Sequence, residues 1–266
     1  MDQVGFKEVF TRFACDATAG AIAGAAVTPI ISAVDRALAE NASGKRSLWP
    51  SFFGALREYA TRPITYLKGP QFFYVWAVYG GTYCAANVVD TICGLRKSEP
   101  AMPKLVTTTG INTVASMMKD RAFAQLFGAS VTTGVPMTAY AAWLTRDAVS
   151  MSCFFTLPPI VGNMLNDYTD KGYYYAQVFL PLAVQLVTSP IHLLGYNIYN
   201  EPNAPISSRL AFMRKDYFRS VALRCVRQAP PWSFGTIGNT EIKARLQSAA
   251  GLKTLVHGTP VYHLSG

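Results

Sequence analysis

Residues 17–34 read ATAGAIAGAAVTPIISAV, a run without a single Asp, Glu, Lys or Arg. At 1.5 Å rise per residue such a helix spans about 27 Å, close to the hydrocarbon thickness of a bilayer. Gly20 and Gly24 lie four positions apart, so they share a face and let a neighbouring backbone approach closely. Pro29 removes one backbone hydrogen bond, and the helix is expected to kink there and continue for two or three turns. Four more charge-free stretches follow: Gly69 to Val89, Ala122 to Thr145, Ala148 to Asn166 and Gly172 to Asn200. Leu105 to Met118 and Gln228 to Thr240 are shorter gaps of the same kind. A Lys, Arg or Asp at the centre of a membrane helix costs about 2.5–3.5 kcal/mol, which accounts for such clean gaps. A length of 266 permits six to seven crossings.

Composition supports a membrane chain. Charged residues make up 15% of the sequence, against roughly 25% in soluble domains, while 50% are hydrophobic. Twenty-four Lys+Arg and 15 Asp+Glu would leave large apolar patches bare on a water-soluble monomer of this size. The mean hydropathy, +0.18, is modest because the apolar stretches also carry Gly, Ser, Thr, Tyr and Gln, as suits helices that face one another or a wet cavity. If the connections alternate sides, the odd ones (36–68, 119–146, 196–227) hold six, three and six Lys+Arg, 15 in all, and the even ones (90–104, 162–172) hold three and one. That asymmetry directs the odd loops to the translation-side compartment, with both termini opposite.

Nothing in the first fifteen residues, which include Asp2, Lys7, Glu8 and Arg12, reads as a cleavable targeting peptide. Five cysteines without CxxC spacing predict neither a disulfide framework nor a zinc site. No nucleotide loop, paired-carboxylate site, catalytic triad or metal cluster is legible, so enzymatic chemistry has no support and no nucleic acid is expected as a partner. His192 is the one histidine in an apolar stretch and is read as a neutral imidazole bonded to a backbone carbonyl. Tyr173, Tyr174 and Tyr175 read as an interfacial aromatic belt. The tail, with Pro260, Tyr262 and His263, is expected to be held by a neighbouring chain.

Two segments repeat one another: Ala19–Gly24 leading to Thr28-Pro29-Ile30, and Ala183-Val184-Gln185-Leu186 leading to Ser189-Pro190-Ile191. Each is followed by a basic stretch and an aromatic, basic, small step, Tyr66-Leu67-Lys68-Gly69 and Phe218-Arg219-Ser220, the latter running on to Arg227-Gln228-Ala229-Pro230. Arg146-Asp147 opens a weaker copy in the middle. This combination resembles the mitochondrial carrier family. The resemblance implies an all-α membrane protein of six transmembrane helices, arranged as three two-helix repeats in a pseudo-threefold barrel. The repeats would cover residues 1–100, 101–168 and 169–246, with a C-terminal tail at 247–266. The third helix is either Leu105 to Arg121 or Ala122 to Thr145 kinked at Pro136; the first leaves better room for a fourth helix from Trp143 to Leu165 and is preferred.

The same resemblance sets an expectation of loss. Carriers close one side with acidic and basic residues two and five positions after each kink proline. Here those gate positions hold Ile31 and Val34 after Pro29, and His192 and Gly195 after Pro190. Asp35-Arg36 is adjacent but points about 100° apart on a helix. The implied protein is a carrier fold of the mitochondrial inner membrane, termini on the intermembrane-space side, that no longer transports. It would act as an accessory subunit of a larger assembly, a respiratory-chain complex being favoured. Lys68, Gly69, Arg219 and Ser220 would contact anionic lipid phosphates, bound cardiolipin being the sole expected cofactor-like group. The rival reading is an active carrier of an anionic metabolite, contacted by Arg146, Arg224 and Arg227.

Overall fold

The computed structural model describes residues 5–129, 134–151, 153, 157–231, 235–252 and 255, with the side chains of residues 159, 173 and 174 left aside. The described residues form helices and no strands. The long rods are α1 (Phe6–Ala42), α4 (Pro70–Arg96), α5 (Ala101–Phe127) and α8 (Gly172–Asn200). Shorter helices are α2 (Leu48–Thr61), α3 (Pro63–Leu67), α6 (Met137–Met151), α7 (Leu157–Asn166), α9 (Ile206–Lys215), α10 (Tyr217–Pro230) and α11 (Thr236–Ala249). α1 packs on α4, α4 on α5, α5 on α6, α6 and α7 on α8, α8 on α10, and α10 and α11 on α1, so the order of neighbours returns to its start.

Local chemistry sets the ends. Pro70 at the first position opens α4, where its missing N–H costs nothing, and Lys97 closes it in the left-handed conformation. Pro29 stays inside α1; the Thr28 hydroxyl donates to the Gly24 carbonyl at 2.7 Å and Ser32 to the Pro29 carbonyl at 3.2 Å, satisfying polar groups beside the interruption. Pro181 and Pro190 sit inside α8 in the same manner, with Thr188 donating to the Val184 carbonyl at 3.0 Å.

The glycine face of α1 meets α4. A Cβ on Gly24 would lie 2.5 Å from the Gly80 backbone nitrogen, and one on Gly20 the same distance from that of Cys84. The two helices therefore run antiparallel in near backbone contact, as the sequence spacing requires. Trp76 of α4 donates to the Ala21 carbonyl at 3.0 Å across this seam.

Beside two apolar core clusters the interior holds charged side chains, and large apolar ones stand exposed. Asp16, Asp35, Lys119 and Asp120 have no solvent exposure, whereas Val106, Val114, Met118, Phe73 and Phe179 are all more than half exposed. Length and apolarity sufficient for a membrane span are met by two helices among the described residues, Phe6–Ala42 and Tyr175–Asn200. The expected barrel of six equally apolar spans is thus seen only as its coarser part, an all-helical protein with apolar helices.

Several boundaries differ from expectation. Leu105 to Arg121 lies within α5, while Ala122 to Thr145 is not one helix: α5 stops at Phe127 and α6 begins at Met137. The stop is chemical. The Asn200 side chain accepts the Ala129 N–H at 2.8 Å, Lys45 donates to the Gly128 carbonyl at 2.7 Å, and Tyr199 and Asn200 occupy the space where a side chain at 128 would stand. The expected fourth helix, Trp143 to Leu165, is divided between α6 and α7. Only 30 residues separate Pro190 from Ser220, yet they hold the surface helix α9. Of the aromatic belt only Tyr175 is described in full, its ring tilted against that of Phe179, and the tail from 256 on lies outside the described residues.

Gly24→Val should lower the thermal midpoint of the detergent-purified protein by an amount equivalent to about 1–3 kcal/mol, the usual cost of overpacking. Gly110→Val, where a Cβ meets nothing within 4 Å, should leave it unchanged. Fluorescence-detected gel filtration of heated samples reads both.

Candidate functional site

Two buried polar layers cross the helix ring, with a cavity between them. The lower layer centres on Asp35 of α1. Its two oxygens face Lys119 of α5 at 2.7 Å and Arg227 of α10 at 3.1 Å. Lys119 also pairs with Asp120 at 2.8 Å, and Asp120 with Arg146 of α6 at 2.7 Å. Arg146 reaches Asp147 with Nε at 2.9 Å and Nη2 at 2.6 Å, while its Nη1 also meets Nδ1 of His192. The His192 ring stands edge-on to Tyr196, with centroids 4.8 Å apart. Helices α1, α5, α6, α8 and α10 are therefore joined by one chain of charge-assisted contacts, most of them removed from water. Single buried pairs rarely repay desolvation, but a carboxylate that serves two cations recovers more of it.

Four cations, Lys119, Arg146, Arg224 and Arg227, share this region with three carboxylates, Asp35, Asp120 and Asp147. The surplus falls on Arg224. Its Nε donates to Gln185 at 2.9 Å and its Nη2 lies 3.4 Å from the Thr188 hydroxyl, both on α8, but no carboxylate pairs with it among the described residues. Its Nη1 is buried with no hydrogen-bond partner there. Unpaired buried guanidinium is costly unless something else supplies the charge.

Arg224 lines a cavity of about 260 Å³, toward the small end of solute sites. Arg146, Asp147, Arg227, Gln185 and Gln228 share its wall with Tyr79, Thr82 and Tyr83 of α4 and Thr108, Asn112 and Ser116 of α5. Asp147 Oδ2 also lacks a hydrogen-bond partner among the described residues. Arg224 and Asp147 thus stand on the wall of one polar, amino-acid-sized space, and each keeps, buried in that wall, one polar atom without a hydrogen-bond partner among the described residues.

The upper layer lies at the other end of α1. Lys243 of α11 pairs with Asp16 of α1 at 2.9 Å, and Asn87 of α4 exchanges two amide bonds with Asn239 of α11 at 2.8 and 2.9 Å. Asp16 and Asp35 stand nineteen positions apart on α1, roughly 28 Å along its axis.

Arg146, Arg224 and Arg227, singled out from the sequence as anion contacts, stand on one cavity wall. The gate positions Ile31 and Val34 are buried in the apolar packing beside Pro29. Gly195 abuts the Trp143 indole, leaving no room for a side chain, and His192 meets Arg146 instead of the expected backbone carbonyl. Lys68 is exposed at the start of α4, with Gly69 as that helix's N-cap; Arg219 is 64% exposed on α10 and Ser220 beside it is buried. Asp35, Lys119, Asp120, Asp147 and Asn112 were missed. A signal existed: charge-free runs end in charged dipeptides, Asp35-Arg36, Lys119-Asp120 and Arg146-Asp147. The expectation of an apolar lock is corrected here. Asp35 and Arg36 do diverge, but Asp35 turns inward to partners on other helices while Arg36 turns to Glu40 and Glu58.

Asp35→Asn strands Arg227 and should cost about 3–5 kcal/mol, the usual penalty for breaking a buried pair. Adding Arg227→Gln should recover more than half of it, because Lys119 keeps Asp120. Midpoints of the two variants in thermal melts decide this.

Among curated proteins and solved structures none matches the chain. A family model does, over residues 19–247, and it is described as "Probable citrulline exporter". No mitochondrial carrier domain is found, which overturns the resemblance to that family. The kink prolines and basic steps that suggested it are features that apolar helices of any transporter can share. The accessory role in a respiratory-chain complex is corrected by the same finding, since the family is described as one of probable exporters; the rival reading as a solute carrier was the nearer. The mitochondrial compartment had no support beyond the overturned resemblance. With residues 19–247 matched, the chain belongs to the probable citrulline exporter family.

Proposed function

We propose that the protein moves a small zwitterionic amino acid, citrulline in the first instance, across a membrane, using the cavity between the two polar layers. The carrying observation is Arg224, a buried guanidinium with one free edge and no carboxylate partner among the described residues. A solute α-carboxylate would complete it. Asp147 Oδ2, on the same wall, would take the α-ammonium group, and the neutral ureido end would find donors and acceptors in Asn112, Ser116 and Gln228. One surplus cation matches the single carboxylate of an amino acid and not the several of a di- or tricarboxylate, because three of the four cations already have carboxylate partners; Asp147 Oδ2 adds an acceptor for the ammonium group. Family membership supports the solute, and apolar outer faces support the membrane.

The membrane arrangement belongs to the same proposal. Six segments, α1, α4, α5, α6 with α7, α8, and α10 with α11, would cross the bilayer. α2, α3 and α9, where Lys45, Arg46, Arg57, Arg62, Arg209 and Arg214 gather, would face the translation-side compartment and the termini the other side. Exposed Lys68 and Arg219 would then sit at that interface within reach of anionic headgroups.

Purified protein in liposomes loaded with labelled citrulline should give saturable efflux. Arg224→Gln should reduce kcat/KM by about 10- to 100-fold, the worth of a charge-assisted hydrogen bond. Citrulline methyl ester, which lacks the carboxylate charge, should be refused by the unaltered protein. Efflux of the ester at the rate of citrulline, or no efflux of either, defeats the reading.

A further inference from the structure

A second cavity, about 300 Å³, lies beyond the upper polar layer and takes part in no step described so far. Three helices that line the first cavity, α4, α5 and α11, also line this one. On α4, Tyr83 faces the first cavity and Asn87 the second; on α5, Thr108 and Lys104; on α11, Thr236 and Thr240. In each case the two residues are four apart, which is one helical turn. The two spaces are therefore collinear and separated by a partition a single turn thick.

What fills the partition is polar and closely bonded. The Asn87 and Asn239 amides are doubly hydrogen-bonded to each other, and Asn87 also donates to the Asp16 carbonyl at 3.1 Å. Lys243 spends its three donors on Asp16 at 2.9 Å, the Asn87 carbonyl at 3.0 Å and the Thr91 hydroxyl at 3.2 Å. Asp16, Asn87 and Asn239 are buried, in a layer of the helix ring where apolar packing would hold three helices more cheaply. Such groups can part without leaving a cost unmet only if water or a polar solute takes their place, which both adjoining cavities can supply. The lower layer has no counterpart to this: its partners are mostly full charges, and Asp35 and Asp120 serve two cations each.

We infer that Asp16, Asn87, Asn239 and Lys243 form the gate through which solute leaves the first cavity, with the second cavity as the vestibule on the terminal side. The inference rests on the transport reading above, for which it names the exit. Opening separates α11 from α4 at the amide pair, and Lys243 follows α11 away from Asp16.

The test is independent of whether citrulline is the solute. Asn112→Cys, on a background with the five native cysteines replaced by Ser, places a thiol in the first cavity. Proteoliposomes are sorted by an N-terminal tag for outward termini and treated with a membrane-impermeant thiol reagent. Asn239→Ala should speed labelling of the thiol at position 112 at least tenfold. Unchanged labelling overturns the gate, as does equal acceleration at Ala124→Cys, a fully buried packing position, which would signal general loosening. A second measurement adds Asn87→Cys and Asn239→Cys: oxidation should join the two and slow labelling at position 112, and reductant should restore it. Joining without slowing overturns the inference. Failure of citrulline efflux by the unaltered protein alongside accelerated labelling in the Asn112→Cys variant removes the solute assignment and leaves the gate standing.

Discussion

Asp35, itself without solvent exposure, holds two cations from two different helices, the buried Lys119 and the largely buried Arg227. A carboxylate in that position cannot be left single, and neither can Lys119 or Arg227, so α1, α5 and α10 have one arrangement in which all three are satisfied. The chain of contacts then passes through Asp120 to Arg146 and on to Asp147 and His192. Once those pairs are made, one cation is left over, and the position of Arg224 decides where the cavity is electrostatically incomplete. Site and scaffold are in this sense one network: the ion pairs that orient the helices also leave the charge that a solute can answer.

The glycine seam serves the same geometry at another level. With Gly20 and Gly24 against Cys84 and Gly80, α1 and α4 sit closer than side chains would allow. That proximity lets Asn87 reach the Asp16 carbonyl and places Tyr79 and Tyr83 on the wall of the cavity. Aromatic residues of α4 divide accordingly, Phe72 inward and buried, Phe73 outward and half exposed, Trp76 bonded across the seam. An apolar exterior and a charged interior are what the proposed transport role asks for, with lipid outside and a solute path within.

The expectation that the lock had been lost shows how a correct geometric premise can mislead. Residues at 31 and 34 are apolar, and adjacent residues do point apart on a helix. The inference failed because it looked for charges only two and five positions after each kink proline, whereas Asp35 stands six past Pro29 and finds its partners 84 and 192 positions away. Charged dipeptides closing the apolar runs were visible throughout. Their meaning was not, since a charge at the end of a span reads equally well as an interface anchor or as a buried partner.

Sequence alone determined the helical class, the inward glycine face of α1, the continuity of helices through Pro29 and Pro190, and the apolar character of the exterior, because each depends on residues within a few turns of one another. It also singled out Arg146, Arg224 and Arg227 as candidate anion contacts. Tertiary structure decided where α5 stops, because Asn200 and Lys45 supply the bonds that end it. It likewise decided which carboxylate neutralises which cation, that Arg224 has none among the described residues, and that Asn87 faces Asn239. Those are pairings between distant helices, and no local pattern encodes a partner whose distance along the chain is set only when the ring closes.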